Sequence, residues 1–226
     1  MIQALLYIVA TLAIYAISKK IYQRYPKVYL SPLLITPVML ILILMTRGIS
    51  FEDYNTGGQW LSKMLQPATI AFAIPLYKYY DVLKKHAVVI LVSVLTGSIT
   101  AIVSSALIAE LLKLDVSMVN SLIPRSVTTP IAMNISQIIG GVPNITAVFV
   151  IITGLLGTML GPMIVKWFRI ESEVARGVLL GTGAHGTGTS KAFEFSSLTG
   201  TISSISMIVS ALLTLGIAPI LISLLV

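Results

Sequence analysis

Three groupings in this sequence have the residue types and spacing to act on a charged or polar solute. The first is Pro124-Arg-Ser-Val-Thr-Thr-Pro130, an arginine among hydroxyl side chains inside an otherwise apolar stretch. Its guanidinium is permanently charged, and its planar fork of donors fits a carboxylate at two points. The second is Gly181-Thr-Gly-Ala-His-Gly-Thr-Gly-Thr-Ser190, a glycine-rich run around one histidine. Glycine lets backbone N–H groups come close to an anion, and a half-helix beginning near Thr189 would aim its positive end at the break. Lys191 and Glu194 form the third, three residues apart and therefore on one helix face.

These patterns predict a substrate cradle of Arg125, Ser126, Thr128, Thr129, His185, Gly186, Gly188 and Thr189. Ion or proton coupling would fall to His185, Glu194 and Lys191, since imidazole changes charge near neutral pH. Blander roles stay open beside these. Arg125 could snorkel to a membrane interface or pair with Glu110 or Glu194. Lys191 and Glu194 could simply pair with each other, and a lone histidine is more often packed than liganding.

Other chemistry lacks its machinery. No cysteine is present, so no thiolate nucleophile or thiolate metal site can form. A zinc site would need a second histidine at helical spacing, and His86 is far from His185 in the chain. Gly181, Gly183 and Gly186 mimic a dinucleotide fingerprint, but no βαβ unit surrounds them. With no nucleophile beside a base, an enzyme is not expected, and no metal or cofactor is called for.

The elements that must hold these residues are apolar. Hydrophobic residues make up 56% of the 226 and charged ones 10%, with a formal net charge of +7. Mean hydropathy is +0.97. Soluble domains are nearer a quarter charged, so the chain reads as an integral membrane protein. Its basic residues fall in short clusters between apolar runs, which marks topology rather than nucleic-acid binding.

In chain order, Ile2–Ser18 reads as a first span rather than a cleaved leader. Lys19, Lys20, Arg24 and Lys27 follow in a short basic loop, then Leu30–Thr46 as a second span. Arg47–Trp60 reads as a polar loop. Leu61–Tyr80 is apolar but interrupted by Pro67 and Pro75, each of which removes a helical hydrogen bond. His86–Leu112 can span; Ser117–Ile139 is interrupted at Pro124-Arg125 and Thr128-Thr129-Pro130. Pro143–Trp167 is a span with Gly154, Gly157 and Gly161 spaced for close helix approach. After a charged loop at Lys166–Arg176 the glycine run breaks the next helix, at about 1 kcal/mol per glycine relative to alanine, and Gly200–Val226 is the last span.

Sliding the chain on itself by about 113 residues lays one broken segment, Thr69–Asp81, over another, Thr182–Glu194, matching in Thr, Ala and Lys. Interrupted segments at corresponding places in two halves point to a transporter's binding site. If both are re-entrant hairpins, Lys19, Lys20, Arg24, Lys27, Lys113, Lys166, Arg169 and Arg176 share one side against Arg47, Lys63, Lys84 and Lys85. That bias favours hairpins, six full crossings and inverted halves. The two breaks are then expected to meet near the midplane.

Pro124-Arg-Ser-Val-Thr-Thr-Pro-Ile-Ala132, Gly140-Gly-Val-Pro143 and Ala184-His-Gly-Thr-Gly-Thr189, in this order, resemble the LrgB/CidB family of bacterial membrane proteins. The resemblance covers nearly the whole chain and is strongest from Leu122 to Met207, and Glu194 looks like the family's acidic residue after the His-Gly motif. It implies an antiholin-like or holin-like modulator of murein hydrolase activity and autolysis that works beside a small LrgA- or CidA-type membrane protein. It also implies transport of small carboxylates, as in relatives that carry pyruvate, or glycolate and glycerate in the plastid envelope.

The expectation is thus an all-α integral membrane protein in one transmembrane domain, 1–226, with pseudo-repeat halves of about 1–113 and 114–226 and interrupted or re-entrant helices at the midplane. It would sit multi-pass in the bacterial cell (inner) membrane, as a homo-oligomer, most simply a dimer. Its expected solute is a small monocarboxylate, with a holin-like role as the alternative.

Overall fold

The apolar runs become helices, and no strand occurs among the described residues. The computed structural model describes residues 2–64, 67, 70 and 73–225. Four helices are long and apolar enough to cross a bilayer: Gln3–Arg24, Tyr80–Leu111, Pro143–Trp167 and Ser197–Ile220. The protein is therefore all-helical and membrane-embedded. Pro32–Arg47 is apolar but shorter. Contacts divide the chain into two units, Met1–Ile70 and Ala71–Val226.

The first unit holds α1 (Ile2–Arg24), α2 (Pro32–Arg47) and α3 (Phe51–Lys63). Gly48 ends α2 in the left-handed region, φ 62°, as glycine does at helix ends. The stretch read as a polar loop is α3. Ser50 caps it by accepting from Asp53 N–H, Glu52 and Asp53 sit in its first turn, and Lys63 sits in its last. Those charges suit the helix dipole, and the hydropathy reading missed them because it scores apolarity alone. Gly57 lets α3 lie directly on the Ala4 carbonyl of α1.

The second unit contains α4 (Ala73–Lys78), α5 (Tyr80–Leu111), α6 (Val116–Leu122), a 3-10 turn (Ile123–Ser126), α7 (Thr129–Ile138), α8 (Pro143–Trp167), α9 (Glu173–Phe195) and α10 (Ser197–Leu225). Of the expected Pro67–Pro75 break, residues 68, 69, 71 and 72 lie outside the described residues, as do 65 and 66 just before it. That half of the 113-residue overlay is consequently placed only at Ile70 and from Ala73 onward.

Residues 173–195 are helical on both sides of His185, and there the chain reverses. At 1.5 Å per residue a straight helix would put Ser196 roughly 34 Å from Glu173. Instead the Ser196 hydroxyl donates to Glu173 Oε1, and the Arg176 guanidinium lies 5.7 Å from the Phe195 ring centre. A Cβ on Gly188 would collide with the Leu180 carbonyl. The reversal is at His185, φ 41° and ψ −128°, near the first central position of a type II′ turn. Two antiparallel arms result, 173–184 and 186–195, roughly 18 and 15 Å long. Neither is long enough to cross a hydrocarbon core of about 30 Å.

A second reversal joins α6 to α7. Pro124 starts the 3-10 turn, Val127 and Thr128 are extended, and Pro130 sits in the first turn of α7, where its missing N–H is harmless. The ends close on each other: Asn120 Nδ2 donates to the Ile139 carbonyl at 2.6 Å and Val142 N–H to Ser121 Oγ at 2.7 Å.

Helix α8 is the strut for both. Near its start, Thr146 Oγ1 bonds the Ser121 carbonyl at 2.9 Å and Ser136 Oγ at 2.7 Å, fixing the base of the first hairpin. Towards its other end, Gly161 meets Leu180 and Gly157 meets Ala184, fixing an arm of the second. Between them, Val150 is fully buried in one apolar cluster with Ile123 and Val127. A separate cluster of Ile90, Val94, Val178, Ile202, Ile205 and Val209 packs the other hairpin.

Candidate functional site

The two hairpins approach from opposite ends of α8, and their tips meet at Val150. Its side chain packs with Ile123 and Val127 of the first tip, while its carbonyl lies 3.1 Å from His185 Nε2 of the second. A carbonyl only accepts, so Nε2 carries the hydrogen, and Nδ1 has no partner among the described residues. A non-glycine residue at this φ costs about 1–3 kcal/mol. The buried imidazole and its bond to α8 are what offset that strain. Gly154 makes the approach possible, because a Cβ there would lie 2.6 Å from Thr187 Oγ1 and 2.9 Å from His185 Cε1.

Arg125 is on the first tip, half-buried, and turned towards α5. Its Nη1 donates to Ser105 Oγ, which in turn donates to the Ala101 carbonyl, and also reaches that carbonyl at 3.4 Å. Nε and Nη2 have no acceptor among the described residues, and no carboxylate lies within 4 Å. Of the eight carboxylates, all but Glu173 are exposed, and Glu173 accepts from Ser196 at the base of its hairpin. Neither Glu110 nor Glu194 pairs with Arg125.

The remaining predicted residues divide. Ser126 and Thr129 are half-buried beside Arg125, and Thr128 is 5% exposed with Oγ1 unpartnered. Gly186 follows His185 on the second tip and is open to the surface. Gly188 faces the other arm at Leu180, so what demands glycine there is the closeness of the arms. The half-helix starts at Gly186 rather than near Thr189, because the break is confined to one residue. Thr189 is buried and bonded to Ser203 at 2.9 Å. Lys191 and Glu194 form an ion pair with each other on the returning arm.

Hydroxyls that the sequence reading did not single out also line the interior. Ser98 of α5 meets Ser210 of α10 at 3.1 Å, and Thr182 Oγ1 and Ser206 Oγ are buried without partners. Their signal was the density of Ser and Thr in helices otherwise made of hydrocarbon, above all 199–214. Surface cavities of about 460 and 480 Å³ lie elsewhere, at the ends of α8 and α5.

Residues 11–224 match the LrgB-like family. The chain is 61% identical over 213 residues to a Bacillus subtilis protein described as uncharacterized protein YwbG, covering 94% of this chain and 95% of that one. It is 41% identical to B. subtilis YxaC, also described as uncharacterized, across 93% and 91% of the two chains. With the Staphylococcus aureus protein described as holin-like protein CidB it shares 35% identity over 221 residues, 98% of this chain and 96% of that one. No solved structure matches. A match over nearly the whole length, running through both hairpins and the helix that braces them, places this chain in the LrgB-like family.

Proposed function

We propose that this chain is a secondary carrier of small monocarboxylates, of the pyruvate, lactate and glycolate size, and that the carboxylate binds at Arg125 between the two hairpin tips. The observation that carries the reading is the missing counter-charge. An arginine inside an apolar segment costs a few kcal/mol or more unless something pairs with it, and every carboxylate of the chain is elsewhere. A small anion fits the open Nε and Nη2 donors at two points. Ser126, Thr128, Thr129, His185 and the N–H groups from Gly186 onward complete the cradle, with proton coupling through His185, Lys191 and Glu194. No covalent step is involved.

Inverted halves belong to this proposal. They are supported by α5 and α10 crossing at Ser98 and Ser210, 112 residues apart, close to the offset of the sequence overlay. The remaining parts are a homodimer, an LrgA- or CidA-type partner and the bacterial inner membrane as site.

The second reading is a holin-like modulator of murein hydrolase activity and autolysis, and the likeness to the staphylococcal holin-like protein favours its holin-like part. A permeability device needs helix association but no selective anion site. The test is uptake of labelled pyruvate, lactate and glycolate into proteoliposomes, run beside release of a trapped neutral dye. The carrier reading expects saturable uptake without dye release. It also expects Arg125→Lys, which loses the planar fork, to weaken apparent affinity at least about tenfold, and Arg125→Gln to abolish uptake. Wild-type affinity in Arg125→Lys refutes the assignment; dye release without saturable uptake favours the modulator.

A further inference from the structure

The base of the second hairpin carries a cationic recess that the carrier reading does not use. Helix α8 ends in a capped turn: Ile170 N–H bonds the Val165 carbonyl at 3.0 Å and Arg169 N–H the Lys166 carbonyl at 3.3 Å. That pattern puts the residue at 169 in the left-handed region, the place where glycine is the usual choice. Here it is arginine, φ 50°, held in a conformation that L side chains disfavour.

Lys166, Arg169 and Arg176 line one cavity of about 460 Å³, with Glu171 as the only acid. Arg176 is anchored, its Nε donating to the Ile170 carbonyl at 2.6 Å and its guanidinium over the Phe195 ring, and neither Nη group has an acceptor among the described residues. None of the three cations has a carboxylate within 4 Å among the described residues. A helix C-terminus is stabilised by a single nearby cation, as at the end of α5, where Lys113 takes the corresponding left-handed position, φ 54°, beside Glu110. Three cations around one recess exceed that need.

Beside the recess Trp167 is 71% exposed and Phe168 74% exposed, at the end of a membrane-spanning helix. Aromatic side chains in that position lie at headgroup depth, and basic pockets between transmembrane helices at that depth take anionic headgroups. We infer that Lys166, Arg169 and Arg176 form a binding site for the phosphate of an anionic phospholipid, which joins the end of α8 to the base of the re-entrant hairpin. The inference stands whether or not the protein is a carrier.

The experiment uses the full chain in neutral detergent micelles, with thermal midpoint and native mass spectrometry as readouts. Phosphatidylglycerol should raise the midpoint and remain bound to the protein, whereas phosphatidylcholine and millimolar inorganic phosphate should do neither. Lys166→Gln combined with Arg169→Gly removes two charges, and the glycine suits the backbone at 169, so the fold is kept. That variant should melt at or slightly above wild type without lipid, since glycine relieves the strain at 169, and bind phosphatidylglycerol about thirtyfold more weakly, the loss expected for two basic residues at a membrane surface. Lys84→Gln with Lys85→Gln removes the same charge elsewhere and should bind as wild type does. An equal response to phosphatidylcholine, an equal response to inorganic phosphate, or equal loss in the Lys84/Lys85 variant overturns the site.

Discussion

Adding a single carbon at Gly157 tests how closely the second hairpin sits on α8. A Cβ at 157 would stand closer than 3.0 Å to Ala184 Cβ, whereas carbon atoms settle about 3.5–4.0 Å apart. Alanine there must push the arm outward by at least about 0.5–1 Å, because Ala184 is short and has no rotamer to yield. The same shift lengthens the 3.1 Å contact between His185 Nε2 and the Val150 carbonyl to about 3.6–4 Å, beyond hydrogen-bond range.

Opposing this, alanine favours a helix over glycine by about 1 kcal/mol. Overpacking costs about 1–3 kcal/mol and the lost hydrogen bond about 1 kcal/mol, so Gly157→Ala should destabilise by roughly 1–3 kcal/mol net. Gly183→Ala is the control, since nothing lies within 4 Å of its Cβ position, and it should be neutral or stabilise by up to about 1 kcal/mol. Gly161→Ala meets only the far end of Leu180, at 2.5 Å, and should fall between the two. Thermal unfolding in detergent, followed by tryptophan fluorescence, ranks the three. Equal stability of the Gly157 and Gly183 variants would show that the stripe does not support the hairpin.

The other expectations follow from single contacts. Gly188→Ala sets a Cβ against the Leu180 carbonyl, backbone that has no rotamer to turn away, and should lower stability by about 3 kcal/mol, the upper part of the overpacking range, in the same unfolding assay. Ser50→Ala removes the cap of α3 and should cost about 1 kcal/mol, with Ser50→Asn close to wild type. The Asp115 carboxyl is held below its ordinary value of 3.8 by Ser117 N–H and then by the Ser117 hydroxyl. Its stabilisation is complete above the unfolded value and is lost as pH falls through the lower folded one. A melting series from pH 5 down to about 2 should therefore show a smaller acid loss in Asp115→Asn than in wild type, and parallel curves would contradict the cap.

The spans themselves were legible because hydropathy is a local property: α1, α5, α8 and α10 follow the apolar runs to within a few residues. So were the break at Pro124–Pro130, which proline chemistry dictates, and the anomaly of Arg125, which needs no partner to be conspicuous. Helix α3 was missed because its signals are the cap at Ser50 and the placement of charges, to which an apolarity count is blind.

What the tertiary structure alone decided is which breaks meet and why the glycines are there. The sequence overlay paired 181–188 with the proline-interrupted stretch near 67–75, much of which lies outside the described residues; the fold adds that α8 brings His185 and the 123–128 turn together at Val150. Glycine is ambiguous in a sequence, since it serves equally for an anion, for a positive φ or for a close contact. Here the one left-handed residue of the hairpin tip is the histidine, while Gly154, Gly157, Gly161 and Gly188 admit neighbouring backbone and side chains. Those contacts join residues far apart in the chain, and local propensity and periodicity extend over only a few turns, so nothing short of the packed structure could choose among them.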